Sequence, residues 1–170
     1  MKKVFLFNIF VISFITLFCS LGTWQIYRLQ WKQDLIYQIK QGLKSKPIQY
    51  TKNIKKNYQR VSLSGEYIFG EQIYLYSLNE KGNPGFDVLT PFETKNKEYV
   101  LINRGWIKKE FKNDSKINTI SNNINGLLRK ANKKNLFTPD NDLKKNIWFS
   151  LNLDDVEEVT GKRFNEFIVY

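Results

Sequence analysis

At 170 residues, with 15% aromatics and a formal net charge of +11, the chain is long enough for one domain with a real core and too rich in aromatics for wholesale disorder. It has no histidine and one cysteine, Cys19. Within this sequence that excludes Ser-His-Asp and Cys-His catalysis, an HExxH zinc site, imidazole-ligated haem, an intrachain disulfide and a CxxC site. The lysines are scattered (Lys55-Lys56, Lys108-Lys109, Lys133-Lys134, Lys144-Lys145) and no nucleic-acid motif accompanies them, so the basic balance is read as a compositional bias toward Lys, Asn and Ile.

Met1-Lys2-Lys3 precedes Val4–Leu21, an uncharged run that as a helix spans about 27 Å, close to a bilayer core of about 30 Å. No A-x-A cleavage pattern follows, and Phe18 before Cys19 is wrong for a lipoprotein anchor. The run is read as an uncleaved transmembrane helix over residues 1–22. Lys2 and Lys3 put the N-terminus on the cytoplasmic side, a contrast weakened by Arg28 and Lys32. Trp24, Tyr27, Trp31, Leu35, Ile39 and Leu43 recur at helical spacing, which predicts a juxtamembrane helix over 23–46 that Pro47 ends. Gly22 allows close packing or a kink between the two. Trp24, Tyr27 and Arg28 also have the composition of an interfacial belt.

Residues 47–170 are predicted to form a mainly β domain outside the cytoplasm. Ser45–Lys56 reads as a polar linker. Tyr58–Ser64 alternates as a strand that Gly65 breaks or bulges. Ile73–Leu78 is a second strand and Asn79–Gly85 a turn. Pro84–Ile107 reads as a hairpin whose apolar runs, Phe86–Phe92 and Tyr99–Ile102, flank a polar connection; Pro91 marks an edge or a bulge. Lys108–Asn123 reads as a surface loop, Ile124–Arg129 as a strand, 137–141 as a turn and Trp148–Leu153 as a strand. Asp154-Asp155-Val156-Glu157 has capping-box form and opens a short helix, Asp155–Thr160, that Gly161 stops. Phe167–Tyr170 is a final strand. The fold class is therefore α+β, mainly antiparallel β and barrel-like, with an N-terminal transmembrane helix.

No residue pattern points to catalysis or to a metal set. Asn103, Arg104 and Trp106 are candidate contacts, because Arg and Trp are enriched where proteins grip one another. The alternative is structural: Gly105 permits a bulge, Trp106 fills the core, and Arg104 pairs with Asp87 or Glu93. Asp154, Asp155, Glu157 and Glu158 are explained by a helix N-terminus rather than by a bound cation. Pro91, Pro139 and Asn141 are read as turn or edge determinants.

Several short patterns occur together in order: Gly22-x-Trp24-Gln25-x-x-Arg28; Gly85-Phe86-x-Val88-Leu89-Thr90-Pro91-Phe92; Val100-Leu101-Ile102-Asn103-Arg104-Gly105-Trp106-Ile107; Gly126-x-Leu128-Arg129; Phe137-x-Pro139-x-Asn141; and Trp148. Across residues 22–170 the chain resembles the Surfeit locus protein family, membrane-anchored assembly factors of cytochrome c oxidase. The resemblance implies a non-enzymatic role around haem a insertion into the catalytic subunit. It implies oxidase subunits and the haem a synthesis machinery as partners, and Trp24, Gln25 and Arg28 as contacts to the oxidase or to a haem propionate. It implies an inner membrane with the main domain in the periplasm or intermembrane space. The family normally has a second membrane helix carrying a proposed haem-ligating histidine. Neither occurs here, so a one-anchor protein, a truncated non-functional copy and a separately encoded helix are all open, as is a generic membrane-tethered interaction module; no cofactor is expected through imidazole.

Overall fold

The computed structural model describes residues 2–112, 122–131 and 134–170. Its contacts divide the chain into two compact units, Met1–Gln41 and Gly42–Tyr170.

The first unit is helical. Helix α1 runs unbroken over Lys2–Lys44, through Gly22, and is long and apolar enough to cross a membrane. The hydroxyls of Thr16, Ser20 and Thr23 donate to the carbonyls of Ile12, Thr16 and Cys19 at 2.8–2.9 Å. These polar residues are therefore satisfied within the helix and do not oppose an apolar surround.

The second unit is built on seven strands: β1 Ile48–Gln49, β2 Arg60–Tyr67, β3 Ile73–Leu78, β4 Pro84–Thr94, β5 Tyr99–Lys108, β6 Asn123–Lys130 and β7 Phe164–Val169. Pairings β2–β6, β6–β7, β7–β5, β5–β4 and β4–β2 close a five-stranded barrel, and β1 and β3 extend its sides. The pairs are antiparallel except β1–β2 and β5–β7. The barrel thereby confirms the expected α+β, barrel-like class and abolishes most free sheet edges.

Strand alternation sorts the apolar residues into two cores. Val61, Leu63, Phe92, Val100, Ile102, Leu128, Phe167 and Val169 fill the barrel together with Tyr50. The intervening residues Leu89, Leu101 and Ile168 face outward onto a second core with Ile73, Trp148, Leu151, Val156 and Phe164. That outer core is roofed by helix α2, Leu153–Thr160, through its buried Val156.

Several expectations are corrected. The stretch read as a linker contains β1, and Tyr50 behind it is buried, with its hydroxyl 3.4 Å from the Asn165 amide. Gly65 does not end its strand: β2 crosses there from β6, at Ser64, to β4, opposite Thr94, and a Cβ would meet the Glu93 carbonyl. Pro91 is neither edge nor bulge. It is paired with Leu101, and its carbonyl accepts from Ile68 N at 2.8 Å. Its nitrogen thus faces the gap between the β3 and β2 pairings, where no ladder bond is lost. Trp148 makes a single bridge to Leu75 rather than opening a strand. The cap of α2 is Asn152, whose side chain accepts from Asp154 N at 3.3 Å; Gly161 closes the helix at φ 66° as expected. Of the predicted loop Lys108–Asn123, residues 113–121 lie outside the described residues; before them β5 continues to Lys108 and a 3₁₀ turn covers Lys109–Phe111.

Candidate functional site

The stretch Asn103-Arg104-Gly105-Trp106 is where the barrel's regularity stops. Between Leu89↔Asn103 and Asp87↔Trp106, β5 has one residue more than β4. Gly105 carries the bulge at φ 112°, a conformation glycine adopts without Cβ strain, and Asn103 Oδ1 accepts the Gly105 N–H at 2.8 Å. The bulge sends the three candidate side chains to different faces.

Asn103 and Trp106 lie on the outer face, in register with Leu89 and Asp87. Trp106 is half-buried and is not a core residue. Its indole N–H donates to the Ser77 carbonyl at 3.3 Å, and its ring packs on Gly85, where a Cβ would collide with it. Asn103 hydrogen-bonds the Tyr170 phenol, and the Arg129 guanidinium stands 5.4 Å from the centre of the Tyr170 ring. Burial pushes the Tyr170 phenol up, against the opposing pull of Arg129 and of the Asn103 bond. Beside these groups is a cleft of about 240 Å³ lined by Tyr76, Ser77, Asp87, Arg129, Phe149 and Tyr170, among others.

Arg104 lies on the inner face. Its guanidinium is 5.4 Å from the Tyr67 ring centre and 5.2 Å from that of Phe69, and the two rings stack at 5.5 Å. Such placements over aromatic faces are worth about 0.5–1 kcal/mol each where exposed. Asp87 is on the outer face, and Glu93 forms an ion pair with Lys97 at 3.0 Å. In the helical unit, Arg28 lies 5.3 Å from the Trp24 ring centre, one helical turn away, while Trp24 is about half exposed and Gln25 is exposed.

Asn141 is a structural hub. Its side-chain oxygen accepts from Phe149 N at 2.9 Å and Ser150 N at 3.2 Å, and its amide donates to Asp155 at 3.1 Å. Asp155 also receives the Asn152 amide at 3.0 Å, so this part of the acidic cluster serves the roof of the outer core. Among the described residues no group of three metal-binding side chains occurs.

The sequence profile of the SURF1 family matches residues 12–169. The chain belongs to the SURF1 family. The SURF1-like protein of Rickettsia conorii is 29% identical over 95% of this chain and 70% of its own length. Surfeit locus protein 1 of Gallus gallus is 32% identical over 86% of this chain and 55% of its own. The Saccharomyces cerevisiae relative, named cytochrome oxidase assembly protein SHY1, is 34% identical over 64% of this chain and 29% of its own. Within this SURF1-family barrel, residue-type reasoning missed Tyr67, Phe69, Ser77 and Tyr170. None has a signal of its own; they join the site only because β7 pairs with β5 and because β4, on the other side of β5, is flanked by β2 and β3. Arg129 was visible as the end of Gly126-x-Leu128-Arg129, without its aromatic partner.

Proposed function

We propose that this SURF1-family chain is a membrane-anchored assembly factor for cytochrome c oxidase. It acts around haem a insertion into the catalytic subunit. The observation that carries the reading is the family match across 12–169, which includes the whole barrel and α1 from Ile12 onward. The yeast relative named as an oxidase assembly protein supports it. Haem a is cargo in this reading, and the sequence offers it no imidazole. The barrel contributes surface rather than chemistry, with Asn103 and Trp106 on one face and Arg104 on the other, and Trp24, Gln25 and Arg28 on α1. The partners are oxidase subunits together with the haem a synthesis machinery. The site of action is the inner membrane. Lys2 and Lys3 hold the N-terminus in the cytoplasm, and the barrel lies in the periplasm or the equivalent intermembrane space.

The test is deletion of the gene in a strain with no second copy, read by a haem a difference spectrum and by oxidase activity. Both are expected to fall, and plasmid-borne wild-type chain restores them. Unchanged oxidase content refutes the reading.

A further inference from the structure

On the outer face of the sheet, the apolar pattern gives way to a polar row. Ile73 on β3, Leu89 on β4, Leu101 on β5 and Ile168 on β7 are buried in the outer core. The positions that continue this face carry Ser77 on β3, Asp87 on β4, Asn103 on β5, Arg129 on β6 and Tyr170 just after β7. Their register fixes the face: Leu75 is paired with Asp87, Leu89 with Asn103 and Ile168 with Arg129. The bulge at Gly105 adds Trp106 to the row, opposite Asp87. Ser77, Asp87, Arg129 and Tyr170 all line the cleft of about 240 Å³ beside the bulge.

Asp87 and Arg129 bring opposite charges to this cleft and do not pair. Among the described residues, neither the carboxylate nor the guanidinium forms an ion pair or a hydrogen bond. Arg129 leans over the Tyr170 ring, 5.4 Å from its centre, and the field of Asp87 reaches the phenol of the same residue. From β4 to β6, across β5 and β7, there are three strand spacings, which set the two backbones roughly 14 Å apart. A short aspartate and a long arginine therefore leave a gap between their charges. Lys130 also borders the cleft but is held by Glu166 at 2.9 Å. The charges facing the cleft thus cancel in sum while standing apart in space. The Ser77 hydroxyl is buried, and among the described residues it has no hydrogen-bond partner. The Ser77 carbonyl is already taken by the Trp106 indole at 3.3 Å, so the hydroxyl is the unanswered group.

We propose that this cleft binds a small zwitterion of the α-amino-acid type, with its ammonium at Asp87 and Ser77 and its carboxylate at Arg129. A simple ion entering here meets one attraction and one repulsion, whereas a molecule with both charges satisfies both ends. A guanidinium matches a carboxylate in shape and cancels it in charge. A primary ammonium carries three N–H donors, so it binds Asp87 and still answers the Ser77 hydroxyl; a quaternary ammonium has no N–H to give. The cleft is also lined by Leu75, Tyr76, Phe149, Leu151 and Ile168, which suit an aliphatic substituent beside the two charged groups. Its volume is below that of a drug-sized pocket and admits one residue-sized molecule. The headgroup of an ethanolamine phospholipid shares the two charges but lacks the substituent, so the assignment is to the free amino acid.

The experiment titrates the full chain with L-leucine by calorimetry, in maltoside micelles that carry no zwitterion of their own. Parallel probes are 4-methylpentanoate, which lacks the ammonium, and 3-methylbutylamine, which lacks the carboxylate. N,N,N-trimethyl-leucine and glycerophosphoethanolamine complete the set. The expected result is saturable binding of leucine, with each of the other probes weaker by about tenfold or more. Asp87→Asn and Arg129→Gln each weaken leucine binding by about tenfold or more. Neither side chain has a hydrogen bond or ion pair to lose among the described residues, so both variants fold, as a thermal melt checks. Ser77→Ala weakens leucine binding roughly tenfold while the domain melts at the same temperature or higher, because an unanswered buried hydroxyl is gone. Absence of saturable leucine binding to the wild-type chain, a single-charge probe binding as tightly as leucine, or undiminished binding by Asp87→Asn overturns the site. Equal binding of the trimethyl compound, or by Ser77→Ala, overturns the ammonium contact to Ser77. A preference for glycerophosphoethanolamine overturns the assignment to an amino acid in favour of a lipid headgroup. The site does not rest on the assembly role, and a negative titration beside an oxidase-deficient deletion strain refutes the site alone.

Discussion

Replacing Asn141 is the sharpest probe of how the roof over the outer core is held. The side-chain oxygen accepts two backbone N–H groups, from Phe149 and Ser150, and the amide binds Asp155 near the start of α2. Ser150 and its neighbours Trp148 and Leu151 are buried. In Asn141→Ala the two N–H groups lose their acceptor in a partly buried place, each costing about 1–1.5 kcal/mol, and the lost bond to Asp155 adds about 0.5–1 kcal/mol. The sum is roughly 2.5–4 kcal/mol, a large share of a typical domain's stability. Asn141→Asp keeps both acceptor bonds and places a second carboxylate against Asp155, so it should cost less than the alanine variant and regain stability with added salt. Urea unfolding of the full chain in micelles, followed by the fluorescence of the buried Trp148, measures both. An alanine variant within about 0.5 kcal/mol of wild type, or one less harmful than the aspartate, refutes the hub.

Four further outcomes follow from the same geometry. Gly105→Val should destabilise by about 1–3 kcal/mol through backbone strain alone, because a Cβ there meets nothing within 4 Å while φ is 112°; Gly126→Ala, whose Cβ runs into Tyr170 and Val169, should instead disturb the β6–β7 seam and expose the Tyr170 amide to hydrogen exchange. Burial raises the Tyr50, Tyr67 and Tyr170 phenols, so the folded chain holds protons that the unfolded chain releases above about pH 10. Their contribution is complete below that pH and is lost as pH rises through the folded values, and Tyr50→Phe should make the decline of the urea midpoint between pH 9 and 11 shallower. Lys162→Met removes an ammonium bonded to both Glu71 oxygens at 2.6 and 2.8 Å, at 22% and 33% side-chain exposure; the loss should be about 1 kcal/mol and shrink in high salt, as a thermal-melt series at two ionic strengths reads out.

The sequence by itself determined what is local. The apolar run Tyr99–Ile102 announced a strand, which the structure splits between two cores, Val100 and Ile102 in one and Leu101 in the other. Glycine at 105 announced the bulge, glycine at 161 the end of α2, and the uncharged run of residues 4–21 a helix able to cross a membrane. The ordered motifs identified the family. Partner choice was beyond it, because strand pairing joins residues far apart in the chain and leaves no periodic trace. So β1 was hidden in a polar stretch, Trp148 passed for part of a strand, and Gly65 was read as a break or a bulge when it lets β2 change partners. The same holds for the site. The chain shows Asn103, Arg104 and Trp106 as one motif, but only closure of the barrel puts Arg104 inside with Tyr67 and Phe69 and leaves Asn103 outside with Tyr170 and Arg129. A one-residue bulge decides the faces, and its effect depends on the strands that the fold sets beside it.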